Sequence, residues 1–163
     1  MENWYAIYTK ARSEKQVAKE LEEMQVIHYL PLMKTMRQWS DRKKWVYVPL
    51  FNSYIFVKID IKYRYKVQDI NGVSGFIRFK DEYPPVPEWQ INNLKIILGS
   101  AEKFEISFDN FELGTRVKVN GGPFNGLQGT VVEYRGKQKF LVRIDSINQN
   151  LLLEINPVFI EKS

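Results

Sequence analysis

At 163 residues the chain fits one ordinary domain or two small ones, and 44% hydrophobic with 14% aromatic residues is enough to build a core. It has no cysteine and one histidine, which excludes disulfides and metal cages built from thiolate and imidazole. The net charge of +5 is unevenly placed: residues 1–100 hold 16 Lys+Arg against 11 Asp+Glu, and residues 101–163 hold 8 against 8. No run approaches the roughly 18 apolar residues of a membrane span, and Met1 to Lys10 carries no basic leader or small-residue cleavage site. The expectation is a soluble, cytoplasmic protein without cofactor or metal.

Taken in order, Trp4 to Tyr8 predicts a strand, and Ser13 starts a helix. Ser13-x-x-Gln16 fits a capping box, and Val17, Leu21 and Met24 follow at helical spacing to form one buried stripe. Lys10, Arg12, Lys15 and Lys19 cluster at the start of that helix, where cations oppose the helix dipole. Two readings stand for these four, a tolerated surface cost or a site that meets phosphate.

Next comes a hairpin. Tyr29 to Gln38 and Lys44 to Val48 are rich in strand formers, and Ser40-Asp41 between them is turn chemistry. Lys34 to Lys44 holds five basic residues and one acid, interleaved or flanked by Trp39, Trp45 and Tyr47. A charge run alone is ordinarily a solvated face; cation with aromatic is also the chemistry of single-strand binding. Tyr54 to Ile59 predicts a third strand. If Ile55 and Val57 face the helices, Tyr54 and Phe56 face outward; the alternative is a strand covered on both sides.

Lys62 to Asp69 predicts one or two helical turns, Asn71 to Gly75 a turn, Phe76 to Phe79 a strand, and Tyr83 to Pro87, with three prolines, a rigid loop. Glu88 to Leu98 predicts a second long helix with Ile91, Leu94 and Leu98 on one face and Gly99 as its cap. Ser100 to Glu112 lacks period and caps and reads as a linker. From Leu113 the pattern is all-β: strands at Thr115 to Val119, Gly129 to Val132, Lys139 to Ile144 and Leu151 to Ile155, with a tight turn at Arg135-Gly136-Lys137. Short strands at this spacing predict a small barrel that closes its own edges. Phe124, a hydrophobe inside the glycine-rich loop Asn120 to Gly126, is either a lid on that barrel or exposed for a partner. The fold class is therefore α+β, an antiparallel sheet with helices followed by a small all-β barrel.

No catalytic set emerges. His28 stands alone at a helix-to-strand junction, and the acid pairs Glu22-Glu23 and Asp81-Glu82 have the pattern of solvated ends and faces. The expectation is a binding protein and not an enzyme.

Pro49-Leu50-Phe51-Asn52-Ser53-Tyr54-Ile55-Phe56-Val57 resembles the central strand of the NusG/RfaH-type transcription elongation factors. Arg37-Gln38-Trp39-Ser40-Asp41-Arg42-Lys43-Lys44 is similar to the UpxY-like antitermination branch, and Gly114, the loop glycines and Gly129 are similar to a KOW motif. The resemblance covers nearly the whole chain. It implies an NGN-type RNA polymerase-binding domain over 1–100, a linker over 101–112 and a KOW (SH3-like) domain over 113–163. It implies contact with the polymerase clamp through Tyr8, Phe51, Tyr54, Phe56 and Phe79. Nucleic-acid contact, to the non-template DNA strand or nascent leader RNA, falls to Lys10, Arg12, Lys15 and Lys19 and to the hairpin-tip residues Trp39, Arg42, Lys43 and Lys44. Phe124 becomes a partner contact of the KOW domain, toward a small-subunit ribosomal protein or Rho. The β-branched strands and glycines of the C-terminal part point to a permanent barrel. The implied function is antitermination of polysaccharide operons by a monomer; a housekeeping NusG-type factor and a ribosome-associated KOW protein are the alternatives.

Overall fold

The structure is a computed structural model and describes residues 1–112 and 114–162; Leu113 and Ser163, the two bounds of the expected barrel domain, lie outside the described residues. The chain divides into two compact units, Met1–Pro85 and Val86–Ser163.

The first unit is a four-stranded antiparallel sheet in the order β2-β5-β1-β6, with a separate two-stranded arm. β1 (Asn3–Thr9) lies at its centre beside β5 (Tyr54–Ile59), with Tyr5 opposite Val57 and Tyr8 opposite Tyr54. β2 (Ile27–Tyr29) and β6 (Val73–Phe76) form the edges. Period-two alternation sends Tyr5, Ile7, Ile55, Val57 and Ile59 to one face. There they pack with Val17 and Leu21 of α1 (Glu14–Glu23) and with Val67 of α2 (Arg64–Gln68). Burying ten such side chains drives the unit together at about 25 cal/mol per Å² of apolar surface. Met24, expected in the same stripe, is instead the C-terminal cap of α1 and is exposed, because the helix ends one residue before it.

The capping box is also not made. Ser13 sits at the N-cap in a helical conformation with no side-chain bond to the helix. The carboxylate of Glu14 instead accepts the Ser53 N–H at 2.9 Å, tying the first turn of α1 to the start of β5.

The arm is the expected hairpin with a shorter first strand, β3 (Leu32–Gln38) against β4 (Lys43–Pro49), in register from Leu32 opposite Pro49 to Gln38 opposite Lys43; Tyr29, expected at its start, pairs in β2 with Phe56 instead. Its tip is closed by the Trp39 N–H donating to the Arg42 carbonyl at 2.7 Å.

The second unit opens with α3 (Glu88–Leu98), whose bounds are those the sequence predicts. A ladder of six antiparallel strands follows, in the order β12-β8-β9-β10-β11-β7. These are β7 (Phe104–Ser107), β8 (Arg116–Val119), β9 (Gln128–Tyr134), β10 (Lys137–Ile144), β11 (Gln149–Leu153) and β12 (Ile160–Lys162). Two corrections follow. Residues 104–107, expected as linker, pair with β11, since Phe104 and Ile106 alternate with polar neighbours. Phe111, also from the expected linker, packs on Tyr134, 5.9 Å between centroids. Among the described residues the ladder runs from β12 at one end to β7 at the other.

The β9–β10 turn places Arg135 and Gly136 both at positive φ, the I′ geometry that matches the twist of a two-residue hairpin. The loop after β8 is set differently. The ring of Phe159 lies over Gly121 and Gly122, and a Cβ on either would come within 2.9 Å or 3.1 Å of it. Phe124 in the same loop is buried and takes the lid reading.

α3 is bonded to the ladder within this unit. Asn93 donates to the Gln128 carbonyl at 2.8 Å and accepts the Gln128 N–H at 3.1 Å, while Gln90 donates to Asp145 at 2.9 Å. Asn93 thus satisfies both backbone groups of one residue, as a neighbouring strand would.

Candidate functional site

Two surfaces of the first unit carry the residues singled out by sequence. The first is aromatic. Tyr8 and Tyr54 face each other across β1 and β5, their rings 4.9 Å apart, and the Tyr54 hydroxyl donates to the Tyr8 hydroxyl at 3.2 Å. Desolvation, and then the neighbouring Tyr8 phenol, push the Tyr54 hydroxyl up to about 12. Tyr8 is 44% exposed and Phe79 67%, so both offer ring surface to a partner. Phe79 sits on a short β-bridge to Glu82, closed by reciprocal backbone bonds of 2.8 Å and 3.0 Å.

Phe51 and Phe56 are different. Phe56 shares the strand face of Tyr54 but is fully buried, and Phe51 is buried at the turn into β5. The outward reading of Phe56 is therefore corrected: two aromatics of the five expected at a polymerase contact serve as core, Tyr8 and Phe79 are exposed rings, and Tyr54 is half-buried.

The second surface is cationic. Arg12, at φ 62, and Lys15 stand at the start of α1 and line a cleft of about 510 Å³ with Arg37, Val48, Pro49, Asn52 and Ser53. Lys15 has a structural task as well, since its ammonium donates to the Tyr47 carbonyl at 2.6 Å and so pins β4 to α1. Sequence reasoning passed over Arg37 because it lies 22 residues beyond Lys15, and only the strand register turns it toward the cleft. Lys10 and Lys19 are exposed but do not line this cleft.

The hairpin register then sorts the remaining residues. Lys34, Met36 and Gln38 share one face with Lys43, Trp45 and Tyr47; Met33, Thr35 and Arg37 share the other with Lys44, Val46 and Val48. All six of the first set are exposed, with Trp45 and Tyr47 each at 54%. The Lys34 ammonium lies 5.0 Å from the Trp45 centroid, and at the tip the Arg42 guanidinium lies 5.7 Å from that of Trp39. Lys43 and Lys44, adjacent in sequence, consequently serve opposite faces of the arm.

In the second unit, Phe124, expected as a partner contact, is buried, while Gly122, Pro123 and Asn125 beside it are exposed. His28 is a structural residue, its Nδ1 2.9 Å from the Val26 carbonyl. Among the described residues no three His, Cys, Asp or Glu side chains converge as a metal site, and no helix is long and apolar enough to cross a membrane.

A sheet presenting Tyr8 with half-buried Tyr54, a basic hairpin arm, and a second unit of one helix and six strands make this a two-unit α+β protein. A family model described as "Transcription termination factor nusG" matches residues 2–95. Similar curated proteins span nearly the whole chain. "Transcription termination/antitermination protein NusG" of Helicobacter pylori (strain 26695) is 27% identical, covering 99% of this chain and 99% of that protein. The protein of the same name from Halalkalibacterium halodurans is 26% identical, covering 98% of each. A solved structure, "Domain interaction in Thermotoga maritima NusG", is 21% identical with a TM-score of 0.49, over 99% of this chain and 97% of that one. The chain belongs to the NusG family of transcription termination and antitermination factors.

Proposed function

We propose that this chain is a specialised NusG-type antitermination factor that rides on elongating RNA polymerase and promotes read-through of an operon, with polysaccharide biosynthesis operons as the target class. The supporting observation is the pairing of two surfaces on one unit: exposed Tyr8 and Phe79 with half-buried Tyr54 for the polymerase clamp, and the basic arm for nucleic acid. Docked by the tyrosines, the factor holds Arg12, Lys15, Arg42, Lys43 and Lys44 against the non-template DNA strand or the leader RNA. Lys10 and Lys19 add to the same field. Bridging polymerase and strand in this way disfavours the rearrangements of a pause, and read-through follows. The glycine loop of the second unit is the proposed meeting point for a ribosomal protein or Rho.

A housekeeping role on all genes is the second reading, favoured by the full-length likeness to general NusG proteins.

The deciding experiment is transcription through a terminator with purified polymerase. Read-through rises with the wild-type protein, while Tyr54→Ala weakens binding to the elongation complex by roughly 30-fold, as removal of an interfacial anchor does. Identical termination with and without the protein defeats the proposal. Occupancy at all genes instead of one operon selects the housekeeping reading.

A further inference from the structure

We propose that the exposed face of the β3–β4 hairpin is a stacking platform for an unpaired DNA strand, with Trp45 and Tyr47 each receiving one base. This deepens the nucleic-acid reading above and rests on it for its setting. Three observations carry it.

The first is composition. The face presents Lys34, Met36, Gln38, Lys43, Trp45 and Tyr47, with no carboxylate among them. Two large rings left half in water between cations are complementary to a ligand that is flat and apolar on its bases and negative on its backbone. The second is spacing. Trp45 and Tyr47 are two residues apart on one strand face, about 6.8 Å along β4. That is about twice the 3.4 Å per nucleotide of a stacked strand in duplex DNA, so successive bases reach both rings only from an unstacked single strand. The third is the surroundings of the rings. Met36 stands directly opposite Trp45 and Lys34 directly opposite Tyr47. Beside Trp45 the Met36 side chain offers a ribose 2′-hydroxyl only a weakly accepting thioether, so this ring has no group that favours RNA over DNA. In the free protein the Lys34 ammonium covers the Trp45 ring; a base takes that place and the ammonium passes to the adjoining phosphate.

The test is fluorescence anisotropy of labelled oligothymidylate with the full chain, against oligouridylate and duplex DNA as comparators. Trp45→Ala/Tyr47→Ala is expected to weaken oligothymidylate binding by at least about tenfold, whereas Trp45→Phe/Tyr47→Phe, which keeps two rings and the strand propensity, stays within about threefold of wild type. Lys34→Gln leaves both rings in place and lowers the salt slope by about 0.7. Unchanged binding in the alanine pair, or an unchanged slope in Lys34→Gln, overturns the platform, and tighter binding of oligouridylate overturns the choice of DNA. Binding to the elongation complex is scored separately. A wild type that ignores polymerase yet holds oligothymidylate through these rings sinks the antitermination reading alone; the reverse result sinks this one alone.

Discussion

At the scale of single residues, the clearest surprise is Glu14. Ser13-x-x-Gln16 has the spacing of a capping box, yet Ser13 makes no cap bond and the neighbouring carboxylate bonds the Ser53 N–H across 39 residues. Local spacing cannot announce a partner so distant, so this tie was illegible in the sequence. Tyr54 was read as an outward-facing aromatic and is half-buried in the fold, because its partnership with Tyr8 depends on the β1–β5 register. That pairing has a measurable consequence. The phenols of Tyr29 and Tyr54 are both held up to about 12 against an ordinary 10.0, Tyr29 by desolvation and Tyr54 by desolvation and then Tyr8. The folded state therefore keeps protons that the unfolded chain releases. The stabilisation is complete below pH 10 and is lost as the pH climbs through about 12. An ultraviolet titration of the phenolates is expected to show two late-titrating tyrosines, and Tyr54→Phe to leave one.

Elements were read with more success where their signals were local. The bounds of α3 and the existence of the hairpin follow from periodicity and turn chemistry. β7 was not visible because four residues with a weak alternation carry no cap and no strong propensity; it becomes a strand only because β11 offers an edge to it. α3 makes the same point in reverse. Ile91 and Leu94 of its apolar face could be read, though Ile97 and not Leu98 completes it, and the polar side chains that bond the ladder could not be read. Asn93 is almost fully buried and satisfies both backbone groups of Gln128. Asn93→Ala removes both bonds and leaves a buried N–H and C=O unpaired, so a loss of about 1–3 kcal/mol per unpaired group is expected in urea unfolding of the full chain. A loss below about 0.5 kcal/mol would show that water replaces the amide at no cost.

Across the whole molecule, net charge is unevenly divided between the two units. Residues 1–85 hold 15 Lys+Arg against 10 Asp+Glu, and residues 86–163 hold 9 against 9. This asymmetry was legible from composition. Its division between two faces of one hairpin was not, because a one-residue change of register would exchange the two sets. The prediction at this scale compares equal losses of charge. Arg12→Ala/Lys15→Ala/Arg37→Ala is expected to lower the salt slope of single-strand binding by about 2, while Lys118→Ala/Lys137→Ala/Lys139→Ala in the second unit leaves it within about 0.5. Equal effects of the two triple changes would mean that net charge, and not its placement, holds the strand.

The ring of Phe159 over Gly121 and Gly122 also bears on the order in which the protein can be made. The Asn120 N–H donates to the Phe159 carbonyl at 2.6 Å, and β12 pairs with β8 through Ile160 opposite Val119. The glycine loop thus finds its cover only after residue 159 has been synthesised. The four-stranded sheet, in contrast, has its last strand by Phe76. A nascent chain can therefore complete its proposed docking surface on Tyr8 and Tyr54 while the second unit is still being translated, since domains fold as units from the N-terminus. Ribosome release sets the clock for one half of the molecule and not for the other.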